Sequence, residues 1–459
     1  MVDQVATIHL GTVTWNVAEM KISKEDIAAV VKSIDISHLQ LLFVTAQELF
    51  ALNLSTIAGG TPSPNNDQGM ELALQIWNEG WHLALGSRWK CLKASGLGAV
   101  RVNLFARDDV ADQLTNIETD VVPCGLAGML VNKGAAGIKT KVRSTCLLFV
   151  GAHLNAHAKR VARRNADFRR IDSCLFSARS ASRIASYTTK GRAFTTNGMT
   201  AFPVAGISMP SSSGGGGEGA QSSGTKIESI GAPDAPDASE ISTNHQVKEN
   251  DDTLPDVTRS SIYSLAVQQA LTGLLESPST QFSEDEEEDA DTPRYASMIS
   301  EYRQSLRTDE APIQQWFTDI LKSAEEPPAR RLIDTYRRVI FAGDLNYRLT
   351  IPDRDAFDWL FDPSNPTSLL SKYDELTQQI QAEASFTGFI EPPISFPPTY
   401  KFDPGTTQYD TSKKRRVPSW TDRILFSPDG IAPYEYNYIP SVTTSDHRVV
   451  YAKFTVMIE

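Results

Sequence analysis

Cysteine is scarce in this sequence, and the few cysteines are widely spaced. The 459 residues contain four of them, Cys91, Cys124, Cys146 and Cys174, and no two form a CxxC pair. A zinc knuckle and a disulfide framework are therefore disfavoured. A reducing compartment is the simplest interpretation.

Long apolar runs and an excess of positive charge are also absent. No run approaches the roughly 18 apolar residues of a membrane-spanning helix, and residues 1–20 lack the basic start and apolar stretch of a signal peptide. We therefore expect a soluble protein. The formal net charge of −12 argues against a nucleic-acid binder held by phosphate contacts, so any anion-binding surface must be local.

The most informative segment is FAGDLNYRL at residues 341–349. A hydrophobic run that stops at Gly343-Asp344 predicts a buried strand ending in a tight turn, at the sheet edge where open α/β folds bind ligands. WTDRIL and SDHRVV set Asp422 and Asp446 beside short apolar strands in the same way. Singly, such segments are more often turn chemistry. Together they predict three strand ends that converge.

Joined in this order with FPPTYKFDPGTTQYDTSKKRRVPSW at residues 396–420, these segments resemble the catalytic domain of the inositol polyphosphate 5-phosphatases. That family lies in the magnesium-dependent endonuclease/exonuclease/phosphatase superfamily. The resemblance covers about residues 7–175 and 336–454. It implies an α/β fold of the DNase-I-like kind, a four-layer sandwich of two packed mixed sheets flanked by helices.

The middle of the chain differs in composition from both ends. Residues 210–224 are a Ser/Gly tract and residues 283–291 are an acidic block. Such composition buries too little apolar surface to offset the entropy of ordering. We predict a largely disordered insertion at residues 176–328 that is available to protein partners, between a first catalytic part at 1–175 and a second at 329–459.

Apolar periodicity predicts the helices and strands of the two predicted catalytic parts. A Ser-x-x-Asp signal at Ser23 predicts a capped helix start. The glycine-dense residues 121–137 indicate a close approach of the backbone to another group, with a β-turn loop as the alternative. Predicted strands span residues 7–17, 39–49, 81–93, 99–107, 138–143 and 144–150, and predicted helices span 23–34, 70–80, 357–360 and 369–383.

Glu48 closes a hydrophobic run, where a carboxylate is costly if buried unpaired. Its side chain therefore either faces solvent or binds a cation, and without the family resemblance the solvent-exposed position is favoured. The family resemblance instead implies that Glu48 is a Mg²⁺ ligand, with Asn16 and Asp446 close by. The family motif continues with Asn-Gly after this Asn, where the present chain has Ala18-Glu19.

The resemblance also implies the catalytic groups. Asp344, steadied by Asn346, would orient and deprotonate the attacking water, and His447 paired with Asp422 would face the phosphoryl group. His153 would add a further donor. His153 and His157 have the spacing of a zinc protease, but the glutamate of that motif is missing, so zinc is disfavoured.

Two segments are candidates for binding further phosphates. Asn132-Lys133-Gly134 is a turn by its residues alone, yet it matches the family segment that binds the phosphate between inositol and glycerol. The basic run at 413–416 is by itself a solvated patch or a localisation signal. By resemblance, a pocket for the 4-phosphate consists of Tyr400, Lys401, Lys414 and Arg416, while Arg348 and Arg423 are expected as partners of carboxylates.

We therefore expect a phosphoric monoester hydrolase that uses Mg²⁺ to convert phosphatidylinositol 4,5-bisphosphate to phosphatidylinositol 4-phosphate. A nuclease or sphingomyelinase-like phosphodiesterase of the same fold is an alternative, as is a catalytically inactive scaffold recruited to membranes. The expected protein is cytoplasmic and monomeric. It contacts anionic membranes peripherally and has no nucleic-acid partner.

Overall fold

Two β-sheets form the centre of the fold in residues 6–52, 64–125, 130–177 and 331–459, which the computed structural model describes. The six-stranded sheet has the order β10-β11-β1-β2-β4-β3, and the five-stranded sheet has the order β5-β6-β7-β8-β9. Both are mixed, because β1 and β2 are parallel, as are β7 and β8. The strands are β1 (Ala6–Asn16), β2 (Leu41–Gln47), β3 (Trp89–Leu97), β4 (Val100–Arg107), β5 (Leu114–Cys124), β6 (Leu130–Val142), β7 (Thr145–His153), β8 (Arg338–Asp344), β9 (Asp422–Phe426), β10 (Ile431–Ile439) and β11 (Val449–Ile458).

Helices cover the outer faces of the sheets. The first begins where the sequence predicted, because the Ser23 side chain accepts from the Asp26 amide and Asp26 accepts from Ser23 in a capping box. The helices are α1 (Lys24–Ile34), α2 (Pro64–Leu85), α3 (Asp108–Ala111), α4 (Val161–Cys174), α5 (Leu332–Thr335), α6 (Arg354–Leu360), α7 (Thr367–Tyr373) and α8 (Glu375–Gln381).

Three apolar layers hold the sheets and helices together. Between the sheets, Phe43 of β2 stacks on Phe149 of β7 with ring centroids 5.3 Å apart. On the outer face of the six-stranded sheet, Trp81 of α2 is fully buried. On the outer face of the other sheet, Phe168 of α4 packs edge-on against Phe341 of β8 at 5.8 Å. The predicted four-layer sandwich is confirmed.

The predicted strand at residues 81–93 is wrong in its first part. Helix α2 continues to Leu85, and β3 begins only at Trp89. Trp77, Trp81 and Leu85 recur every four residues and are all buried against the same cluster. This helical spacing outweighs the strand preference of the aromatic residues. The predicted pairing of the two neighbouring strands is correct, because β3 and β4 are antiparallel.

Of the two interpretations of the glycine-dense residues 121–137, the β-turn loop is wrong and the close backbone approach is confirmed at Gly134. Residues 121–124 end β5, and β6 begins at Leu130. Gly134 lies within β6 with a φ of 145°, and an added Cβ would lie 2.2 Å from the Val122 carbonyl oxygen. Glycine therefore permits close strand approach here rather than a turn. Asn132 and Lys133 consequently project from a strand.

The predicted helix at residues 369–383 is interrupted at Asp374, which separates α7 from α8. The Asp374 side chain accepts a hydrogen bond from the Thr377 amide and so caps α8. It also binds the Arg423 guanidinium at 2.9 Å, with both side chains fully buried. The buried ion pair and the cap require a non-helical residue at this point.

The predicted insertion at residues 176–328 lies outside the described residues, except for residues 176 and 177. That domain boundary therefore stays a prediction. Among the residues that the structure does describe, no helix combines the length and the apolar composition needed to cross a membrane.

Candidate active site

Asp344 is the centre of the site and the last residue of β8. Its side chain is 2% exposed, its Oδ2 accepts from Asn16 Nδ2 at 2.9 Å, and its Oδ1 accepts from the Asn346 amide at 3.0 Å. Burial raises the pKa of Asp344 to about 6, against the lowering effect of His447. At neutral pH the carboxyl group is thus ionised, with a basicity suited to accepting a proton.

Asn346 is held in a conformation that presents its side chain to two neighbours. Its φ is 58°, its Nδ2 donates to the Leu154 carbonyl at 3.0 Å, and its Oδ1 accepts from the Arg348 guanidinium at 2.5 Å. The Arg348 guanidinium in turn lies over the Tyr400 ring, 4.4 Å from the centroid. The expected partner of Arg348 was a carboxylate, but its side chain instead positions an amide and an aromatic ring.

His447 and Asp422 form a buried hydrogen-bonded pair. His447 Nδ1 lies 2.8 Å from Asp422 Oδ2, which leaves Nε2 directed toward Asp344 Oδ2 at 4.0 Å. Burial opposes charge on the ring, but Asp422, Asp446 and Asp344 together raise the pKa of His447 to about 10. The imidazole is therefore protonated at neutral pH and can donate through Nε2.

His153, the last residue of β7, lies opposite Asp344 in the parallel register of β7 and β8. Its Nε2 is 3.5 Å from Asp344 Oδ2 and 2.7 Å from Lys133 Nζ. Burial, together with Lys133, holds the pKa of His153 well below its usual range. The ring is neutral at this pKa, and the Lys133 ammonium adds a second polar donor group next to it.

The segment predicted to bind a linking phosphate therefore reaches the catalytic centre. Lys133 contacts His153, as described above. Asn132 Oδ1 is buried and has no hydrogen-bond partner within the described ranges. An unpaired buried acceptor of this kind is costly unless a donor group arrives with a ligand.

The two carboxylates predicted to bind metal lie on either side of Asp344. Glu48 has a φ of 53°, and its 37% exposed side chain places Oε1 3.6 Å from His153 Nε2. Asp446 Oδ1 lies 3.8 Å from His447 Nε2, and Asp446 Oδ2 accepts from Lys401 Nζ at 2.6 Å. His447 and Lys401 lower the pKa of Asp446 against the raising effect of burial, so it is ionised.

This donor set suits a hard divalent cation, because Glu48, Asp344 and Asp446 all offer carboxylate oxygens. Asn16 contributes less directly, since its Oδ1 accepts from the Ala18 amide at 2.9 Å. Ligand-type atoms of Asp344, Asp422 and His447 also approach within 4.8 Å of one another. We assign Asp422 to the imidazole rather than to a metal, because its Oδ2 already accepts several hydrogen bonds.

Some residues of the predicted 4-phosphate pocket lie next to His447 and Asp446. The Tyr400 ring lies 4.4 Å from the His447 ring, and Lys401 contacts Asp446. Arg416 is joined to Lys401 through Asp410, whose Oδ2 is 3.5 Å from the Arg416 guanidinium and whose amide donates to the Lys401 carbonyl. Lys414 lies exposed two residues before Arg416.

Sequence reasoning missed two threonines and a serine that hold the acid and imidazole groups. Thr399 and Thr421 donate to Asp422 Oδ2 at 3.1 and 3.0 Å. Ser445 Oγ accepts from the His447 amide at 3.1 Å and donates to the Asn16 carbonyl at 2.7 Å. The sequence could have indicated all three. Thr421 and Ser445 are hydroxyl residues directly before a predicted site residue, and Thr399 lies in the Pro-Pro-Thr-Tyr-Lys segment.

These acids and imidazoles lie together at one end of a two-sheet sandwich. The chain belongs to the endonuclease/exonuclease/phosphatase family. The family profile described as Endonuclease/Exonuclease/phosphatase family 2 matches residues 13–198 and 294–453, which is more than half of the sequence.

Within that family, the chain is similar to inositol lipid phosphatases. Polyphosphatidylinositol phosphatase INP53 of Saccharomyces cerevisiae is 40% identical over 129 residues, 28% of this chain and 12% of that protein. Phosphatidylinositol 4,5-bisphosphate 5-phosphatase INP51 of the same yeast is 38% identical over 165 residues, 36% of this chain and 17% of that protein. The matches thus span less than a fifth of either relative.

A solved structure supports the fold. The inositol polyphosphate 5-phosphatase domain of SPsynaptojanin, in complex with inositol (1,4)-bisphosphate and calcium ion, aligns with a TM-score of 0.55 at 19% identity. The alignment covers 99% of this chain and 86% of that one. At this identity the likeness establishes the architecture and leaves the chemistry to the site residues.

Proposed function

We propose that this chain uses Mg²⁺ to remove the 5-phosphate of phosphoinositides, converting phosphatidylinositol 4,5-bisphosphate to phosphatidylinositol 4-phosphate. One observation carries the proposal. A protonated imidazole, His447, faces an ionised carboxylate, Asp344, across 4.0 Å, with the cationic Lys401 beside them. This arrangement offers a proton donor, a proton acceptor and an anion site within one phosphoryl group's reach.

Asp344 supplies the base. Its pKa of about 6 leaves it ionised at neutral pH, and hydrogen bonds from Asn16 and Asn346 fix the direction of both oxygens. A water held by this carboxylate loses a proton to it as the water oxygen bonds to phosphorus. The bond from phosphorus to the inositol oxygen breaks, and that oxygen takes up a proton to become the inositol hydroxyl.

His447 and Lys133 supply positive donors for the phosphoryl oxygens. Asp422 holds His447 Nδ1, so the ring can donate only through Nε2, and charge on the ring strengthens that hydrogen bond. Lys133 reaches the opposite side of Asp344 through its contact with His153. Both cations are fixed before the reaction, as electrostatic stabilisation of a developing negative charge requires.

Glu48 and Asp446, with Asn16 nearby, are the residues that would hold Mg²⁺. When bound, the cation would offset negative charge on the transferred phosphate and its leaving oxygen. The oxygen ligands that these side chains offer support this assignment, since carboxylate oxygens suit a hard divalent cation.

A second anion pocket would distinguish a phosphoinositide from a nucleic-acid phosphodiester. Tyr400 lies next to His447, Lys401 binds the neighbouring Asp446, and Arg416 lies 3.5 Å from Asp410 in the adjoining loop. The pKa of Lys401 is raised because Asp446 outweighs the effect of burial, so the amine is charged. We assign this cluster to the 4-phosphate.

The proposed setting is cytoplasmic, with a monomer that contacts anionic membrane surfaces peripherally. The local basic segment at residues 413–416 contrasts with the net charge of −12, so attraction to an anionic surface would be confined to this side of the pocket.

The test is phosphate release from a panel of inositol lipids and soluble inositol phosphates, with Mg²⁺ and with EDTA. The expected result is release from 4,5-bisphosphorylated substrates that leaves the 4-phosphate in the product and stops with EDTA. Release that persists in EDTA contradicts the metal assignment. Cleavage of a nucleic acid or a sphingomyelin without release from the inositol panel contradicts the proposed reaction.

A further inference from the structure

One large apolar side chain stands out on the surface of the described residues. Trp359, near the end of α6, is 84% exposed, more than any other large apolar side chain in those ranges. The other tryptophans of the described residues are buried, at 5% exposure or less. Covering this indole with an apolar surface would gain the free energy of burying a large apolar side chain.

The helix that carries Trp359 has one buried face and one free face. Phe357 is buried in the central core, and Ala356 and Leu360 pack against that core. Asp355 and Trp359 are four residues apart and therefore share the opposite, exposed face. Because Phe357 fixes the rotation of the helix, Trp359 is held outward rather than free to turn inward.

This exposed face is attached to the proposed phosphate pocket. The Arg415 guanidinium binds Asp355 Oδ1 at 2.8 Å and lies 3.8 Å from Asp358 Oδ2. Arg354 lies over the Tyr409 ring at 5.3 Å, and Tyr409 precedes the Asp410 that binds Arg416. Helix α6 thus packs on the loop that carries the pocket's cations.

Exposed cations lie close to the same face. Lys413 and Lys414 directly precede Arg415 and are exposed. Arg415 pairs with Asp355 at 2.8 Å and Arg354 pairs with Asp358 at 2.7 Å, so each of these two acids next to Trp359 has a guanidinium partner. An indole beside a cluster of Lys and Arg is the combination that enters the boundary between lipid headgroups and acyl chains. The positive charges complement the anionic leaflet of a membrane.

We propose that Trp359 and the basic segment 413–415 form a membrane-docking surface for an anionic lipid bilayer, which places the mouth of the pocket at the headgroup layer. The inference rests on the proposed function, because it supplies the bilayer in which that substrate lies. The indole provides the apolar anchor, and the cations provide attraction and orientation.

The first test measures binding to vesicles of phosphatidylcholine and phosphatidylserine that contain no inositol lipid, so the active site does not contribute. Trp359→Ala is expected to weaken binding roughly tenfold, the loss of one large buried apolar side chain. Leu83→Ala is the matched control, because Leu83 is also an exposed apolar side chain, at 64%, but lies on α2, which packs on the outer face of the six-stranded sheet. It should bind like wild type.

The second test places the indole in the bilayer. The fluorescence of wild type minus that of Trp359→Phe is the signal of Trp359 alone. Vesicles whose lipids carry bromine on the acyl chains should quench this signal. Absence of this quenching, together with unchanged binding of Trp359→Ala, overturns the proposal and leaves the surface to a protein partner.

Hydrolysis of soluble inositol 1,4,5-trisphosphate separates this inference from the proposed reaction. Trp359→Ala should hydrolyse it at the wild-type rate, since Trp359 contacts none of the groups assigned to the chemistry. Loss of this activity in a folded variant would contradict a purely docking role. If wild type hydrolyses no substrate but still binds vesicles and shows the quenching, the proposed function is contradicted and the docking surface is supported.

Discussion

The protonation states of the site are set by neighbours at hydrogen-bond distance. His447 and His153 are both buried, yet the first is charged because acids surround it, whereas the second is neutral because burial and then Lys133 oppose charge on its ring. Burial acts in the same direction on both rings. The difference therefore comes from the specific partners, Asp422 on one side and Lys133 on the other.

Replacing Asp422 tests this origin of the His447 charge. Asp422→Asn keeps the shape but removes the negative charge, so the pKa of His447 should fall from about 10 by roughly one to three units. NMR titration of the ring in metal-free protein measures this value. The exposed Asp429→Asn should leave it unchanged, and an equal pKa in wild type and Asp422→Asn would refute the assignment.

Replacing Lys401 tests the proposed 4-phosphate pocket. Lys401→Met removes a charged hydrogen-bond donor, worth roughly 1.5–3 kcal/mol, so kcat/KM for inositol 1,4,5-trisphosphate should fall about 10- to 100-fold. Inositol 1,5-bisphosphate, which lacks the 4-phosphate, should be much less affected. A similar loss for both substrates would mean that Lys401 acts through its contact with Asp446 instead.

At the scale of secondary-structure elements, strand ends and the loops beyond them deliver the site. β8 lies between β7 and β9, so His153, Asp344 and Asp422 share one row of the five-stranded sheet. The loop after β7 is tied to α4, because Asp167 Oδ2 accepts from the Asn155 amide and side chain at 2.9 and 2.8 Å. Helix α4 thereby steadies the strand end that carries His153.

The Asp167 tie predicts a pH-dependent stability. Burial raises the pKa of Asp167 to about 6, so the folded state binds this proton more tightly than the unfolded chain does. Its contribution to stability is full at about pH 4 and is lost as the pH rises through about 6. Asp167→Asn has no such dependence, so its free energy of unfolding relative to wild type should rise by about 2 kcal/mol between pH 4 and 7.

Urea unfolding of both proteins across this range measures the effect, with the exposed Asp112→Asn as control. Parallel pH curves for wild type and Asp167→Asn would show that the buried carboxyl group does not titrate as described. The control should follow wild type within a few tenths of a kcal/mol, as is usual for exposed positions.

The sequence predicts elements well where the signal is local. Ser23 and Asp26 mark the start of α1 by direct hydrogen bonds three residues apart, and the run ending at Asp344 marks the end of β8. The site residues were found through a family motif rather than through periodicity. A single motif residue does not indicate which other residues lie near it in space. The order of the motifs along the chain, however, was specific to the family.

The features that escaped prediction depend on contacts between distant segments. The glycine-dense segment indicates a close approach, but only the structure shows that β5 is the strand that approaches Gly134. Lys133 reads as a surface cation until the register of β6 and β7 places Gly134 opposite His153. Asp374 reads as helical until Arg423, far along the chain, binds it. Sequence periodicity contains none of this information.

At the scale of the whole molecule, the site exists only when both sheets are packed together. Asn16 ends β1 and Glu48 directly follows β2 of the six-stranded sheet, whereas His153, Asp344 and Asp422 belong to the five-stranded sheet. The hydrogen bond between Asn16 and Asp344 crosses from one sheet to the other. A cation bound among these groups would therefore stabilise the folded molecule as a unit.

Divalent ions should consequently raise the unfolding temperature. Mg²⁺ at about 100 times its Kd should add about 2.7 kcal/mol to the free energy of unfolding, and EDTA should remove this gain. Glu48→Gln should lose most of the gain, while Glu71→Gln, which removes an exposed carboxylate of α2, should retain it. Calorimetry with and without Mg²⁺ decides the matter, and an undiminished gain in Glu48→Gln would exclude Glu48 as a ligand.

The central claim is that residues from Asn16 to His447 form one phosphate-hydrolysing site with Asp344 as its base. Phosphate release from inositol 1,4,5-trisphosphate with Mg²⁺, compared between wild type and Asp344→Asn, tests it most directly. We predict release by wild type and a loss of about 10²- to 10⁴-fold in the variant. Equal rates would contradict the role of Asp344, and no release by either protein, with vesicle binding retained by both, would favour an inactive scaffold.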